Sequence, residues 1–169
     1  MTTSVLSPSV QEEDRVRIRP LAEGDGLALI ELQQECAAAL PPRRPAPPLL
    51  RPRAVESLVR PSSPQRAALG ALAGDRLLGV GAWTRVRAQD RAELHLLVGA
   101  GDGAARGAVA VTLVRALAAS AAPHGVRRLL HRSLPSEASV REVFARAGFE
   151  TATVYQEGQL LVSFATRPQ

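Results

Sequence analysis

Lysine and asparagine are missing from the 169-residue chain, and isoleucine occurs only at Ile18 and Ile30. All 21 basic residues are therefore arginines. The scarce residue types are those with AT-rich codons, which indicates a GC-rich bacterial genome. Many arginines stand where another genome would place lysine, so their number alone is weak evidence for a function. Arginine stays charged up to about pH 12, which helps to raise the sequence pI to about 11.0.

Cysteine is almost as scarce, since Cys36 is the only one. A single cysteine excludes an intramolecular disulfide and suits a reducing compartment, so we expect a cytoplasmic protein. The histidines His95, His124 and His131 are scattered along the chain, which predicts no metal site. The sequence suggests no apolar run long enough to span a membrane, and residues 1–14 lack the pattern of a secretory signal.

Aromatic residues make up only 3% of the chain, although its net charge is +5. The arginines are spread along the sequence, and few rings are available to stack on bases, so nucleic acid is not expected as the main partner. Apolar residues reach 46%, which is enough for the core of one ordinary domain. We predict a flexible tail over residues 1–14 and a single domain over residues 15–169.

The first regular elements are a strand and a helix. In "RVRIRPLA", Val16 and Ile18 alternate with arginines, which predicts a half-buried strand that ends at Pro20. Asp25 is a candidate N-cap for the helix of "EGDGLALIELQQECAAAL". Its apolar positions at helical spacing are Leu27, Ile30, Leu32 and Cys36.

Residues 41–64 form a Pro/Arg-rich segment that holds eight of the thirteen prolines. Proline removes backbone donors, so most of this segment cannot be regular structure, although "RAVESLV" could form a short helix. One interpretation is a linker between domains. The other is an ordered loop against the active face, favoured because the strand and helix before it are too small for a domain. Four of its arginines could bind an acidic substrate or could be solvated charges: Arg43, Arg44, Arg51 and Arg53.

The second half of the chain alternates strands and helices. "RAALGALAGDRLLGVGAWTRV" predicts a hairpin with its turn at "GDR", and the apolar run of "DRAELHLLVGA" predicts a central strand. A helix over 104–121, the strand "GVRRLLHRSL", a helix capped by Ser136 and ended by Gly148, and a final hairpin follow. The order is β-α-(loop)-β-β-β-α-β-α-β-β, an α/β chain with one βαβ unit.

This order and three stretches resemble the GNAT superfamily of acyl-CoA-dependent N-acyltransferases. The stretches are "LLGVGAWTRV", the region from "AELHLLV" through "GDGAARGAVAV" to "GVRRLL", and "SEASVREVFARAGFE". The resemblance covers nearly the whole chain from Arg15. It implies a mixed, mostly antiparallel sheet of about six or seven strands flanked by helices.

The resemblance also implies an acetyl-CoA site on the fourth strand and the loop after it. Free N–H groups at a helix N-terminus bind anions, and small residues let the anion approach. The family loop, Gln/Arg-x-x-Gly-x-Gly/Ala, matches Ala105, Arg106, Gly107, Ala108, Val109 and Ala110. Gly101 and Gly103 could contribute in a shifted frame. A simple Gly/Ala turn into a buried helix is the alternative. The fourth and fifth strands splay in the family, so the pantetheine arm would pair with backbone near Leu96, Leu97 and Val98.

Acyl transfer to an amine requires a base for the ammonium proton. Family members often carry a base on the fourth strand, and Glu93 is the candidate here, with His95 two residues later on the same face of the strand. The alternative is that Glu93 marks only the solvated start of this strand.

The general acid departs from the family pattern. The family helix commonly reads Asn-x-x-Ala-x-x-Leu-Tyr-x-x-x-Gly-Phe, and counting back from "GF" places Phe144 at the tyrosine, Glu137 at the asparagine and Val140 at the alanine. Phe144 has no hydroxyl to protonate the leaving thiolate. Hydroxyls that could replace it belong to Tyr155, Ser133 and Ser136.

The remaining distinctive side chains have structural explanations. Trp83 is expected in the core or cleft wall, and Cys36 as buried filler on the first helix. His124 precedes Gly125, where a helix-end role suffices.

The sequence thus predicts an N-acetyltransferase that moves an acetyl group from acetyl-CoA to a primary amine, by direct attack in a ternary complex. One alternative is a GNAT-like protein that binds acyl-CoA with weak or no catalysis. Another is an arginine-rich module associated with nucleic acid. No membrane partner is expected, and family members often pair as homodimers.

Overall fold

A computed structural model describes residues 16–42, 46–87, 89–133 and 138–167. The predicted tail 1–14 lies outside these residues, as do Arg43, Arg44, Ser136 and Glu137. The strands are β1 (Arg17–Pro20), β2 (Arg66–Ala73), β3 (Arg76–Arg85), β4 (Arg91–Val98), β5 (Arg128–Ser133), β6 (Thr151–Gln156) and β7 (Gln159–Ala165). The helices are α1 (Gly26–Ala38), α2 (Ala54–Leu58), α3 (Gly103–Ala121) and α4 (Ala138–Arg146).

All seven strands form one sheet in the order β1-β2-β3-β4-β5-β7-β6. Neighbouring strands are antiparallel except for β4 and β5, which are parallel and joined through α3. The predicted element order is confirmed, and so is the central place of β4. A parallel pair needs a crossover connection, and β4-α3-β5 supplies it.

Apolar residues alternate along the strands and fill a core on each face of the sheet. On one face α3 and α4 pack around Leu94, Leu113 and Phe164. On the other face α1, α2 and the turn before α2 pack around Leu32, Leu49 and Leu58. The segment from Pro48 to Leu58 therefore packs against α1 and the sheet.

Helix α3 lies close to β3 because β3 carries glycines at the contact. A Cβ on Gly81 would collide with the Leu117 side chain of α3. With its 3-10 extension the helix covers Gly103–His124, 22 residues, and its most apolar 18-residue window has a mean hydropathy of 1.3. Contrary to the sequence expectation, this described stretch is long and apolar enough to span a membrane. Its side chains from Val109 to Ala121 instead supply much of the core, as expected of a helix packed on a sheet.

Two details of α1 differ from the sequence expectation. Asp25 does not cap α1, because its carboxylate pairs with Arg19 at 2.7 Å and accepts the Ala22 N–H at 2.8 Å. Leu27 is 78% exposed and Ile30 is 41% exposed. The buried side chains of α1 are Leu29, Leu32 and Cys36.

Candidate active site

The central strands β4 and β5 run side by side for only part of their length. Their parallel ladder joins Arg91–Glu93 to Arg128–Leu130 and ends there, although β4 continues to Val98 and β5 to Ser133. The strands separate after Glu93, as the resemblance implied. The opening between residues 94–98 and residues 131–133 is called the β4–β5 gap below.

Hydrogen bonds to β3 determine which backbone groups of β4 face the gap. Gly99 N–H donates to the Leu78 carbonyl at 2.9 Å, and Val86 N–H donates to the Arg91 carbonyl at 2.9 Å. Hydrogen-bonded and non-hydrogen-bonded pairs alternate in an antiparallel ladder. The odd-numbered residues of β4 therefore direct their N–H and C=O toward β3, and the even-numbered residues direct theirs toward the gap.

The gap-facing backbone of β4 thus belongs to Leu94, Leu96 and Val98. The N–H and C=O of Leu97 belong to the ladder with β3, so within the predicted pairing region it is Leu96 and Val98 that face the gap. The Val98 carbonyl accepts the thiol of Cys36, with an S···O distance of 3.5 Å. Among the described residues no side chain bonds to the Leu96 backbone, which leaves its N–H and C=O available to a ligand.

His131 closes the narrow end of the β4–β5 gap. Its Nδ1 donates to the Leu94 carbonyl at 3.0 Å, which requires the proton to sit on Nδ1. The Phe144 ring meets the imidazole edge-on with centroids 5.9 Å apart. Burial lowers the pKa of His131 more than the bond to Leu94 raises it, so the ring is neutral at pH 7. Sequence reasoning missed this role. The available signal was the position of His131 two residues after the buried Leu129, on the same face of β5.

His131 predicts a stability that falls in mild acid. Because its pKa in the folded protein is below the usual 6.5, the unfolded chain takes up a proton first as the pH drops. The free energy of unfolding therefore decreases as the pH falls below about 6.5, by up to about 1.4 kcal/mol per pH unit. Urea denaturation between about pH 7.5 and about pH 5 measures this slope. We expect His131→Asn, which retains an N–H donor, to flatten it, and an unchanged slope would contradict the assignment.

Glu93 lies on the opposite face of the sheet from His131, where the strands separate. One carboxylate oxygen is 3.9 Å from His95 Nε2, and the other is 3.6 Å from Arg132 Nε. The structure thus brings Glu93 and His95 together on one face, as predicted, and adds Arg132, which the sequence did not indicate. The Glu93 side chain is 42% exposed, so an incoming molecule can reach its carboxylate.

The His95 ring is more buried than its acidic neighbour. Burial lowers the pKa of His95 more than the Glu93 carboxylate raises it, and the positive charge of Arg51 lowers it further. His95 is therefore mostly neutral at pH 7, and one ring nitrogen can accept a proton or a hydrogen bond.

A cavity of about 260 Å³ lies next to His95, between the sheet and the Pro/Arg-rich segment. On the sheet side it is lined by His95 and Thr84, and on the other side by Leu49, Ser57 and Leu58. We call it the α2 cavity. The segment stays in place over it because Leu49 and Leu58 are buried and Gln33 Nε2 of α1 donates to the Leu49 carbonyl at 2.6 Å.

The loop after β4 enters α3 earlier than the family frame predicts. Helix α3 begins at Gly103, Asp102 Oδ1 accepts the Ala105 N–H at 2.7 Å, and the Arg106 N–H donates to the Asp102 carbonyl at 3.0 Å. Backbone N–H groups from Arg106 to Ala110 are therefore used inside the helix, and the contact of these residues with an anion stays a prediction. The free first-turn N–H groups belong to Gly103 and Ala104.

A small cavity of about 70 Å³ lies between this first turn and α1. Of the predicted cofactor-binding residues it is lined by Val98, Ala105, Arg106 and Val109. Glu35 on its wall accepts the Ala100 N–H at 2.6 Å and lies 3.8 Å from Arg76. Acidic and basic groups thus meet at this site, and neither Glu35 nor Asp102 was foreseen.

The other predicted cofactor-binding residues of α3 do not line this cavity. Ala108 is exposed, and Ala110 is buried in the sheet-facing side of the helix. Gly107 faces Arg146 of α4, whose guanidinium would lie 2.9 Å from an added Cβ. Gly107 therefore makes room for a cation near the start of α3.

The hydroxyl groups proposed to replace the family tyrosine differ in position. Tyr155 is 66% exposed on β6, which is separated from β4 by β7 and β5. Three strand spacings place it about 14 Å across the sheet from β4, and its catalytic role stays a prediction. Ser133 ends β5, and its buried Oγ has no hydrogen-bond partner among the described residues. Phe144, at the tyrosine position, is fully buried.

The remaining residues singled out in the sequence have structural roles. Trp83 is fully buried, and its Nε1 donates to Ser120 Oγ at 2.8 Å. Cys36 is buried in the α1 core, and burial raises the pKa of its thiol. The His124 carbonyl accepts Arg85 Nη1 at 2.9 Å at the end of the α3 extension. Within the part of the chain that the structure describes, no three His, Cys, Asp or Glu side chains group as a metal site.

The fold is similar to those of solved acetyltransferases. The GNAT domain of S. lividans PAT has a TM-score of 0.73 and 23% identity, covering 89% of this chain and 90% of that one. Thermoplasma acidophilum PaiA N-acetyltransferase, solved with coenzyme A, has a TM-score of 0.61 and 17% identity, with 88% and 98% covered. Aminoglycoside acetyltransferase AAC(6′)-Ib, solved with coenzyme A and kanamycin, has a TM-score of 0.62 and 19% identity, with 88% and 94% covered.

The chain has the GNAT fold. No family model matches its sequence, and no curated protein matches it either. The fold class predicted from the resemblance is confirmed by these structures and by the seven-stranded mixed sheet. Within this fold, Glu93 lies on β4, the β4–β5 gap runs along the same strand, and the first turn of α3 follows it.

Proposed function

We propose that this protein is an acyl-CoA-dependent N-acetyltransferase that acetylates a primary amine by direct attack in a ternary complex. The observation that carries the proposal is the separation of β4 from β5 after Glu93, with an accessible carboxylate at the opening. The structural neighbours are acetyltransferases, and two of them were solved with coenzyme A.

The β4–β5 gap fits the amide-containing arm of coenzyme A. The gap-facing backbone of Leu96 and the N–H of Val98 can form the hydrogen bonds that a further strand would form. Coenzyme A also carries a diphosphate, which needs N–H donors and cations. Gly103 and Ala104 supply free N–H groups at the start of α3, and Arg106 supplies a guanidinium beside them.

Two carboxylates weaken this phosphate site. Asp102 accepts the Ala105 N–H at the start of α3, and Glu35 accepts the Ala100 N–H. A diphosphate must therefore compete with Glu35 for the Ala100 N–H and lie near the Asp102 carboxylate. Arg76 and Arg106 on the walls of the small cavity offset that repulsion. We therefore expect weaker binding of acetyl-CoA than a loop without these acids would give.

Glu93 is the proposed base. Bound acetyl-CoA supplies the thioester carbonyl, and the amine attacks it as the C–N bond forms and the C–S bond breaks. Glu93 accepts the proton that the ammonium group must lose, directly or through a water molecule. Neutral His95, 3.9 Å away, can accept a hydrogen bond from the amine or from that water. Arg132 holds the Glu93 carboxylate at the opening.

An acyl-CoA-binding protein with weak or no catalysis is the second candidate. The fully buried Phe144 favours it, because this ring offers no proton to the leaving thiolate. A thiolate is already a fair leaving group, which keeps the transferase as the first candidate. Cytoplasmic location, homodimer formation and the arginine-rich nucleic-acid alternative remain sequence predictions. For the last, binding that weakens steeply with salt is the expected sign.

Acetyl-CoA is expected to stabilise the purified protein saturably against thermal unfolding. At a concentration about a hundredfold above Kd, the gain is about 2.7 kcal/mol. Arg106→Gln should weaken acetyl-CoA binding by about tenfold, because one charge-assisted contact is lost. Arg17→Gln, an equal charge change on the exposed side of β1, is the matched control. Thiol release with a panel of amines then separates the transferase from a protein that only binds acyl-CoA.

Failure of acetyl-CoA to change the unfolding temperature at millimolar excess would reject both CoA-dependent functions. Binding without thiol release from any amine would favour the second candidate. Equal weakening by Arg106→Gln and Arg17→Gln would show that general charge, rather than the first turn of α3, controls binding.

A further inference from the structure

The α2 cavity is lined by positive and neutral side chains. Three arginines border it, Arg51 and Arg53 from the turn before α2 and Arg66 from the start of β2, together with His95. Among the residues that the structure describes, no acidic side chain lines it. Glu56, although it belongs to α2, is exposed and does not belong to the lining.

These arginines are not neutralised by the acids that the structure describes. The ion pairs found within residues 16–42, 46–87, 89–133 and 138–167 involve Arg19, Arg76, His95 and Arg132. Arg66 is half-buried in the cavity wall, and burial together with the charge of Arg60 lowers the pKa of its guanidinium. A cluster of like charges held around a cavity favours an anion as ligand.

The cavity lies beside the proposed base. His95 lines it and lies 3.9 Å from Glu93, so a molecule in the cavity has one end near the carboxylate at the β4–β5 opening. The arginines border the same cavity from the α2 and β2 sides. A ligand that contacts both Glu93 and these arginines therefore needs an amine nitrogen for the carboxylate and a negative charge for the guanidinium groups.

We propose that the acceptor is a small primary amine that also carries an anionic group, bound by Arg51, Arg53 and Arg66. The proposal rests on the proposed acetyltransferase function. Arginine binds carboxylate or phosphate through paired N–H donors, so either anion satisfies the chemistry. A volume of about 260 Å³ lies below the usual range for drug-sized ligands and has room for an acceptor of amino-acid size.

A panel of paired acceptors tests the charge requirement. Thiol release would be measured with β-alanine against β-alaninamide, and with phosphoethanolamine against ethanolamine. We expect kcat/KM for the anionic member of at least one pair to exceed that of its neutral partner by about tenfold to a hundredfold. The pair that shows the larger ratio identifies the anion as carboxylate or phosphate.

Variants assign that preference to the cavity. Arg51→Gln and Arg66→Gln should each reduce the anionic preference by about tenfold, and the triple variant with Arg53→Gln should abolish it. Arg17→Gln, with the same charge change on β1, should retain the preference. Thermal unfolding of each variant verifies that it is folded. An anionic preference that survives the triple variant would overturn the proposal.

A binding measurement separates this proposal from acyl transfer itself. Calorimetry without acetyl-CoA would compare the product-like probes N-acetyl-β-alanine and N-acetyl-β-alaninamide, and O-phosphoryl-N-acetylethanolamine and N-acetylethanolamine. Tighter binding of an anionic probe than of its neutral partner supports the anion site. If the same protein does not bind acetyl-CoA, only the proposed acetyltransferase function fails. Equal binding within both pairs, or no binding of any probe, overturns the anionic acceptor even when acetyl-CoA binds.

Discussion

Glu93→Gln is expected to lower kcat for thiol release by about a hundredfold to a thousandfold, because a positioned base contributes that much to proton transfer. Glutamine has nearly the shape of glutamate and can still contact His95 and Arg132, but it cannot accept the ammonium proton. The KM for acetyl-CoA should stay within about threefold, since Glu93 lies at the opening of the β4–β5 gap rather than at the first turn of α3. Steady-state kinetics at saturating acetyl-CoA measures both parameters.

Glu142→Gln is the matched control for this prediction. Glu142 is an exposed glutamate on α4, and its loss should leave kcat within about twofold. Glu93→Asp withdraws the carboxylate by one methylene and should recover part of the activity. A kcat for Glu93→Gln close to that of the unsubstituted protein would remove Glu93 as the base and leave His95 as the remaining predicted group at the opening.

Strand periodicity predicted the pairing of Glu93 with His95 better than it predicted which backbone groups face the β4–β5 gap. Residues two apart on a strand share a face whatever the neighbouring strands do, so Glu93 and His95 could be placed together from sequence. Which β4 backbone groups face β5 depends on register with β3, and register is a long-range property. That is why the sequence could not show that the Leu97 backbone faces β3, and why Arg132, from another strand, was not foreseen beside Glu93.

Helix boundaries and faces were harder to predict in alanine- and leucine-rich stretches. In α1 apolar residues occur at Leu27, Leu29, Ile30 and Leu32, so several faces satisfy a helical period. Of the positions placed at helical spacing, Leu32 and Cys36 are buried, whereas Leu27 and Ile30 are exposed. In the loop before α3, small residues fit several frames. Asp102 was the available signal, because aspartate favours the N-cap position, and it places the helix start at Gly103.

Local sequence also cannot reveal contacts between distant residues. His131 bonds to the Leu94 carbonyl across 37 positions of sequence, and no short motif encodes such a pair. The α2 cavity likewise combines Arg51 and Arg53 with Arg66 and His95 from two strands. The sequence left two interpretations of the loop arginines open. Arg51 and Arg53 border this cavity, and the proposed anionic acceptor rests on that position.

Phe144→Ala is expected to reduce the free energy of unfolding by about 3–5 kcal/mol, because a fully buried ring is replaced by a cavity. The Phe144 ring lies 4.7 Å from that of Phe164, which in turn lies 4.7 Å from Phe149. It also meets His131, so its loss loosens the group that bonds to Leu94 at the narrow end of the gap. Urea denaturation near neutral pH measures the change.

Comparison with Phe144→Leu and Glu142→Ala determines how much of this loss comes from the cavity. Leucine fills part of the space and should cost about half as much or less, whereas the exposed Glu142 should cost no more than about 0.5 kcal/mol. A loss below about 1 kcal/mol for Phe144→Ala would mean that the aromatic cluster does not hold α4 on the sheet. With the expected loss, the position that carries a tyrosine in the GNAT pattern serves packing in this chain. The leaving thiolate must then take its proton from another group or depart as the anion.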